Sequence, residues 1–216
     1  MIDRANLVKL AEVMDLSLSA EMADKLVAYI ELIIKWNRVY NLTAIRDPEE
    51  MLSQHLMDSL SVLPWINGDS ILDVGSGAGL PGIPLAIARP DIAVTLLDSN
   101  HKKTTFMTQA KLELGLGNVS VVCERVDAFG HQKSFDCLIS RAFCDLGEYV
   151  RLVQPLCHLN SKILAMKGIY PYDELLHLPD NIDVSEVIPL SVPGLNAKRH
   201  LIVLKSASKK MKVNGL

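Results

Sequence analysis

The chain has 216 residues, a mass of 23.8 kDa, 49% hydrophobic and 22% charged residues, and a formal net charge of −3. That length suits one domain, or one domain with an appendage, and buries enough surface to need no staple. The profile excludes disordered, collagenous and coiled-coil chains, and the charge balance excludes a uniformly basic nucleic-acid coat.

The charge is unevenly placed. No Asp or Glu follows Glu186, whereas Lys198, Arg199, Lys205, Lys209, Lys210 and Lys212 all do. A basic C-terminal edge on an acidic body reads as an anion footprint or as a solvated tail. Cys123, Cys137, Cys144 and Cys157 form no C-x-x-C pair and have no His at zinc-ligand spacing beside them. They are expected to be reduced, mostly core thiols of a cytoplasmic protein, with no metal site. The first residues lack the apolar core of a signal peptide, and no run of about 18 apolar residues occurs, so no membrane span is expected.

The first elements read as helices. Leu7, Leu10, Ala11 and Met14 share one helical face. Ser19 is the expected N-cap of a second helix, which carries Met22, Leu26, Tyr29, Ile30, Ile33 and Ile34 and runs to about Val39. Asp47-Pro48-Glu49-Glu50 opens a third with an N-cap, a first-turn proline and an acidic turn, and Pro64 ends it. After Asn67-Gly68-Asp69 the rhythm changes, so residues 1–67 are expected to form an N-terminal helical cap and 68–216 an α/β domain.

Short Ile/Val/Leu-rich runs at Ser70–Val74, Val94–Leu97, Val119–Cys123, Cys137–Ser140 and Ile163–Met166 read as strands, separated by helical patterns such as Lys102–Leu114 and Leu146–Leu156. That alternation predicts a mostly parallel sheet covered on both faces. Val184–Val192 and His200–Lys205 are too close for a crossover helix and predict a C-terminal antiparallel hairpin, bringing the sheet to seven strands.

The chemistry concentrates in Ile71-Leu72-Asp73-Val74-Gly75-Ser76-Gly77-Ala78-Gly79-Leu80-Pro81-Gly82, where a strand enters a glycine turn and then a helix at about Gly82. Such a turn lets a ligand approach the main chain at the sheet's switch point. Asp98, at the end of the second strand, can accept from both ribose hydroxyls. A dinucleotide fold wants G-x-G-x-x-G, yet Leu80 stands where its third glycine belongs, and Asp73 would repel a pyrophosphate. The G-x-G-x-G spacing with Asp73 before it suits a ligand with a cationic amino group and favours S-adenosylmethionine. Asp127, just past the third strand, reads as an adenine contact beside the Val126 N–H, or else as a helix N-cap. The fourth strand ends in Ser140-Arg141-Ala142-Phe143, and no Asn-Pro-Pro-Tyr segment follows, which disfavours an exocyclic-amine target.

These landmarks make the chain resemble the bacterial RsmG (glucose-inhibited division protein B) family. The resemblance extends over Lys35-Trp36-Asn37, Asn41-Leu42-Thr43, His55-Leu56-Met57-Asp58-Ser59, Asp73 to Pro84, Leu97-Asp98-Ser99, Ser140 to Phe143, Met166-Lys167-Gly168 and Arg199-His200-Leu201. It implies a Rossmann-like S-adenosylmethionine-dependent methyltransferase acting on guanine nitrogen-7 in 16S ribosomal RNA of the small subunit. It further implies Gly75, Leu80, Val126, Asp127 and Arg141 as cofactor contacts, joined by Asp73, Gly77, Gly79 and Asp98, and it places Arg199 near the reacting base or the RNA. His55 and Asp58 are candidates for lining the guanine pocket, with Asp58 alternatively a structural hydrogen-bond partner, and Lys167 is a further candidate substrate contact. Trp36 and Trp65 read as core, Lys102-Lys103 as a solvated face or a phosphate contact, and Tyr170-Pro171-Tyr172 as a base-stacking or an ordinary loop. The protein is expected to act as a monomer, and no general base is expected. The alternatives are a nucleotide-dependent oxidoreductase and a non-catalytic RNA- or ribosome-binding module.

Overall fold

The computed structural model describes residues 2–130 and 133–206. Lys209, Lys210 and Lys212 lie outside them. Seven strands run β1 (Ser70–Val74), β2 (Ala93–Asp98), β3 (Val119–Cys123), β4 (Phe135–Arg141), β5 (Cys157–Lys167), β6 (Ile182–Pro189) and β7 (His200–Ser206). Their order in the sheet is β3-β2-β1-β4-β5-β7-β6. The first five pair in parallel, and β7 inserts antiparallel between β5 and β6. The C-terminal hairpin is therefore present, with β6 as its outer strand. The chain crosses from one side of β1 to the other on its way to β4, which sets a topological switch point where β1 and β4 end side by side.

The helices are α1 (Arg4–Val13), α2 (Ala20–Tyr40), α3 (Pro48–Met51), α4 (Asp58–Leu60), α5 (Gly82–Ala88), α6 (His101–Glu113), α7 (Leu146–Val153) and α8 (Tyr172–Leu176). Ser19 caps α2 by accepting from the Met22 N–H, and Asp47 caps α3 by accepting from Glu49 and Glu50. α3 does not stop at Met51. It runs without a break through a π-helical stretch, Leu52–Met57, into α4. A helix reaching Pro64 was expected; it closes at Leu60, and Pro64 sits in a short 3-10 turn, Leu63–Trp65.

Side chains alternate across the sheet, and this sorts the core into two layers. Ile71, Leu96, Ile139, Leu164, Leu201 and their neighbours face α2, α5, α6 and the 48–60 segment. Leu72, Val74, Leu97, Leu138, Ile163 and Ile202 face α7. The N-terminal helices thus share a core with one face of the sheet. Trp36 packs there against Tyr40 and Phe106, and Trp65 lies against the same core. Of the cysteines only Cys137 is buried. Cys144 and Cys157 are half-buried, and Cys123 is exposed because it ends the edge strand β3. Among the described residues no helix is long and apolar enough to cross a membrane, and no group of His, Cys, Asp and Glu is placed to hold a metal.

One bond ties the helical layer to the glycine turn. The Tyr29 hydroxyl, fully buried on α2, donates to the Ala78 carbonyl at 2.6 Å. Tyr29→Phe keeps the ring and leaves that buried carbonyl unpaired, a cost of ~1–3 kcal/mol. The expected drop in melting temperature is roughly 3–10 °C for a chain of this size. Calorimetry of the two proteins measures it, and an unchanged melting temperature would show the bond to be dispensable.

Candidate active site

Two cavities open beyond the ends of β1 and β4, as the switch point requires. The first, of about 430 Å³, is lined by Gly75, Leu97, Asp98, Val126, Phe143 and Leu152, among others. The second, of about 340 Å³, is lined by His55, Asp58, Arg141, Lys167, Gly168 and Arg199, with Ile45 and Gln54 beside them. Ala142 borders both. It holds a left-handed conformation (φ +53°), which turns the chain out of β4 between them.

The first cavity is shaped by the glycine turn. Gly75 (φ +70°) donates to the Leu97 carbonyl, and a Cβ there would lie 2.5 Å from the Phe143 ring. The position thus excludes a side chain on both conformational and steric grounds. Asp98 accepts from the Gly77 N–H through one carboxylate oxygen and from the Asn100 N–H through the other, with the Lys103 ammonium 3.9 Å away. Each oxygen retains acceptor capacity, enough for a pair of hydroxyls. A cavity of this size, with a carboxylate at one side and Val126, Leu152 and Phe143 as apolar wall, fits the adenosine part of S-adenosylmethionine.

Several expected cofactor contacts stand elsewhere. Asp73 is fully buried on the α5 side of the sheet, where its carboxylate accepts from the Gly82 N–H at 2.8 Å. Its other oxygen has no partner among the described residues, and burial pushes its pKa up to about 7. It fastens β1 to the start of α5 and is not among the residues that line the first cavity. Gly77 (φ +60°) is half-buried beside Asp98, Gly79 (φ +88°) is buried, and the Leu80 side chain goes into the core. Asp127 sits in a turn, exposed, with its carboxylate engaged by Arg125 at 3.0 and 3.1 Å. Among the described residues, 128–130 form no helix, so Asp127 is not a helix cap.

Arg141, expected as a cofactor contact, lines the second cavity where it borders the first. Asp58 is 2% exposed and accepts from Arg141 at 3.1 Å through one oxygen and from Arg199 at 2.9 Å through the other. A buried carboxylate needs such partners. The π-helical stretch helps to supply them. There the Asp58 N–H reaches back to the Ser53 carbonyl rather than to Gln54. The Gln54 carbonyl is thereby left for the Arg141 guanidinium, which donates to it at 2.8 Å. Lys167 bridges the Cys144 carbonyl and Glu174 at 2.9 and 2.7 Å. The four candidate substrate residues, His55, Asp58, Lys167 and Arg199, are thus brought to one cavity.

His55 closes that cavity from beneath. Its Nε2 lies 3.0 Å from the Thr43 hydroxyl, and its Nδ1 has no partner among the described residues. Asn37 fixes Thr43 by bonding both its N–H and its carbonyl. Burial, aided by the Arg141 charge, lowers the His55 pKa to about 4. The imidazole is therefore neutral at physiological pH.

The sequence reading missed Phe143, Glu148 and Leu152 as cavity wall, Tyr29 as a tie to the glycine turn and Gln54 as a partner of Arg141. Phe143 stood inside a quoted motif. The others carried no local signal, since their roles depend on long-range packing.

His55 dictates an acid limb to stability. Its folded pKa lies below the unfolded value of 6.5, so its contribution is present above pH 6.5 and is lost as pH falls towards 4. Roughly 2 kcal/mol should be gone by pH 5. Urea unfolding at pH 7.5 and pH 5 is expected to show a shallower loss for His55→Gln than for the parent. Equal losses would show that His55 does not remain neutral in the folded protein.

The GidB family model, described as rRNA small subunit methyltransferase G, matches residues 22–202. Ribosomal RNA small subunit methyltransferase G of Laribacter hongkongensis is 57% identical over 189 residues, covering 88% of this chain and 91% of that protein. The protein of the same name from Nitrosospira multiformis is 51% identical over 199 residues, covering 89% and 92%. Among solved structures, a SAM-dependent methyltransferase from Aquifex aeolicus aligns with a TM-score of 0.58 at 17% identity, over 79% of this chain and 97% of that one. TrmN from Thermus thermophilus aligns with a TM-score of 0.55 at 16% identity, over 79% and 53%. These structural likenesses establish the Rossmann-like methyltransferase fold, and on the strength of the family match the chain belongs to the rRNA small subunit methyltransferase G family.

Proposed function

We propose that the protein transfers a methyl group from S-adenosylmethionine to nitrogen-7 of a guanine in 16S ribosomal RNA of the small subunit. The observation that carries this reading is the pair of cavities meeting at Ala142, one suited to adenosine and the other walled by two guanidiniums. The bound cofactor supplies a methyl group activated on a sulfonium centre. Gly75, Val126 and Asp98 are assigned to its adenosine part. Arg141, bordering Ala142, has guanidinium N–H groups for the methionine carboxylate. Leu80, Gly77 and Gly79 act through the backbone of the turn, and Asp73 acts by holding that turn to α5.

Guanine nitrogen-7 carries an in-plane lone pair and no proton, so its methylation needs no general base. The second cavity matches that requirement. Asp58 is engaged by two arginines, and His55 is a weak base held neutral. The residues' work is to orient the base, exclude water and hold charge. Arg199 is assigned to donate to O6, an acceptor on the same edge, leaving the N7 lone pair free for the methyl group. Asp58 offsets one of the two positive charges next to a ring that itself turns cationic. In A-form RNA that edge faces a groove too deep and narrow to enter, so the guanine lies in a loop or is extruded from its stack. The helical cap, residues 1–67, contributes the floor of the base cavity, and residues 68–216 contribute the cofactor cavity. We take the protein to act as a monomer in the cytoplasm, where its substrate is.

Methyl transfer to small subunits from cells lacking the enzyme tests the reading, with bare ribosomal RNA and bulk tRNA alongside. Nucleoside mass analysis is expected to find 7-methylguanosine in the subunit RNA. A different methylated nucleoside would overturn the position, and label in tRNA alone would overturn the target.

Asp58→Asn tests the charge argument. It removes the negative charge between the guanidiniums and is expected to lower kcat about 10²-fold, the scale of losing one preorganised electrostatic contact. Cofactor affinity, measured by calorimetry, should fall less than kcat, because Asp58 lines the base cavity and reaches the cofactor side only through Arg141. Loss of cofactor binding in step with kcat would reassign Asp58 to the cofactor site.

A further inference from the structure

We propose that Tyr170 and Tyr172 form a stacking platform for a nucleobase neighbouring the target guanine. This inference rests on the RNA-methylating function proposed above. β5 ends at Lys167, and Lys167 and Gly168 form one wall of the base cavity. The chain then leaves the sheet as Ile169-Tyr170-Pro171-Tyr172 and enters α8. The rings of Tyr170 and Tyr172 lie 4.2 Å apart at 39°, and the His200 and Tyr170 rings meet edge-on at 5.6 Å. His200 pairs with Lys167 across β5 and β7 and lies 3.1 Å from the Gly168 carbonyl. The aromatic stack is therefore anchored to the cavity rim.

Its outermost member is uncovered. Tyr172 is 71% exposed, flanked by Ile169 at 82% and Leu176 at 80%. α8 buries no residue fully, and Leu175 turns towards the α7 core while Tyr172 and Leu176, four apart, share the outer face. Exposed apolar side chains grouped in this way mark a contact surface more often than a solvated one.

The chemistry around the group selects the occupant. An extruded guanine brings its strand neighbours to the rim, and those bases have lost a stacking partner. A tyrosine face replaces that partner without reading its identity. Arg199 and Lys198 adjoin His200 in sequence and supply cations for the connecting phosphates. Of the two acids on α8, Glu174 is engaged by the Lys167 ammonium and the Leu146 N–H, and Asp173 is exposed beside Tyr172.

The test measures equilibrium binding of the fluorescently labelled full-length protein to small subunits from cells lacking the enzyme, with no cofactor present. Tyr172→Ala, Tyr172→Phe and Tyr172→Leu are compared with the parent. Stacking predicts an affinity loss of about 5- to 100-fold for the Ala and Leu variants and a change under about threefold for Phe. Unchanged cofactor affinity in all three variants confirms that they are folded. Binding equal to the parent in Tyr172→Ala, or Leu matching Phe, would overturn the platform, and the second result would indicate an apolar protein contact instead. Failure of the parent to bind subunits would remove the functional reading and the platform with it. A platform result without 7-methylguanosine would leave the platform standing and overturn the reaction.

Discussion

The arrangement turns on one buried carboxylate. Asp58 comes from the helical layer, Arg141 from the end of β4 and Arg199 from the start of the β6–β7 hairpin's inner strand. Three parts of the chain, separated by 83 and 141 residues from Asp58, meet at this side chain. Burying a charge is expensive unless partners surround it, and removing one partner from such a group costs more than the pair contributes. The three segments are therefore coupled. The cap cannot shift without leaving two guanidiniums unpaired beside a cavity, and the hairpin cannot move without exposing the carboxylate. The base cavity is bounded by this constraint.

The same layer reaches the cofactor side by another route. Tyr29 holds Ala78 within the glycine turn, and Asp73 holds the turn's far end to α5. Both contacts lie behind the cavity. The turn is thus supported from the core, which leaves its ligand-facing side free of side chains. Asp73 illustrates why a residue type alone does not establish a contact. Period-two alternation along β1 sends Ile71 and Asp73 to one face and Leu72 and Val74 to the other. An acid at that position faces α5 whatever ligand the turn receives.

Much of this was legible in the sequence. The continuous apolar runs named the parallel strands β1 to β5, because buried parallel strands need apolar residues on both faces. Asp47-Pro48 and Ser19 marked their helices through local capping chemistry, which depends on neighbours only a few residues away. Asp98 and Gly75 were recognisable because the backbone turn itself forms the site. Asp127 and Arg141 were harder. Asp127 meets the Arg125 guanidinium, and Arg141 meets Asp58 while keeping further N–H groups free, and neither pairing is visible in the local sequence. For Asp127 the partner is two residues away, and for Arg141 it is far along the chain.

The π-helical stretch was not legible at all, and it explains most about the base cavity. Hydrophobic periodicity averages over a turn, so a single widened turn leaves the pattern helical. Yet the change of hydrogen-bond register moves the Asp58 N–H to the Ser53 carbonyl and frees that of Gln54. Arg141 then meets a carbonyl and a carboxylate one turn apart on the same helix. Two acceptors of different charge fix both the position and the tilt of a planar guanidinium, where one alone would let it swing. In a regular α-helix the Gln54 carbonyl would divide its acceptor capacity between a helical N–H and Arg141. A widened turn of this kind weakens the helix locally, and such turns occur frequently at functional sites. Here the weakened backbone is offset by the arginine it positions, so local helix stability has been exchanged for the orientation of one side chain where the two cavities meet.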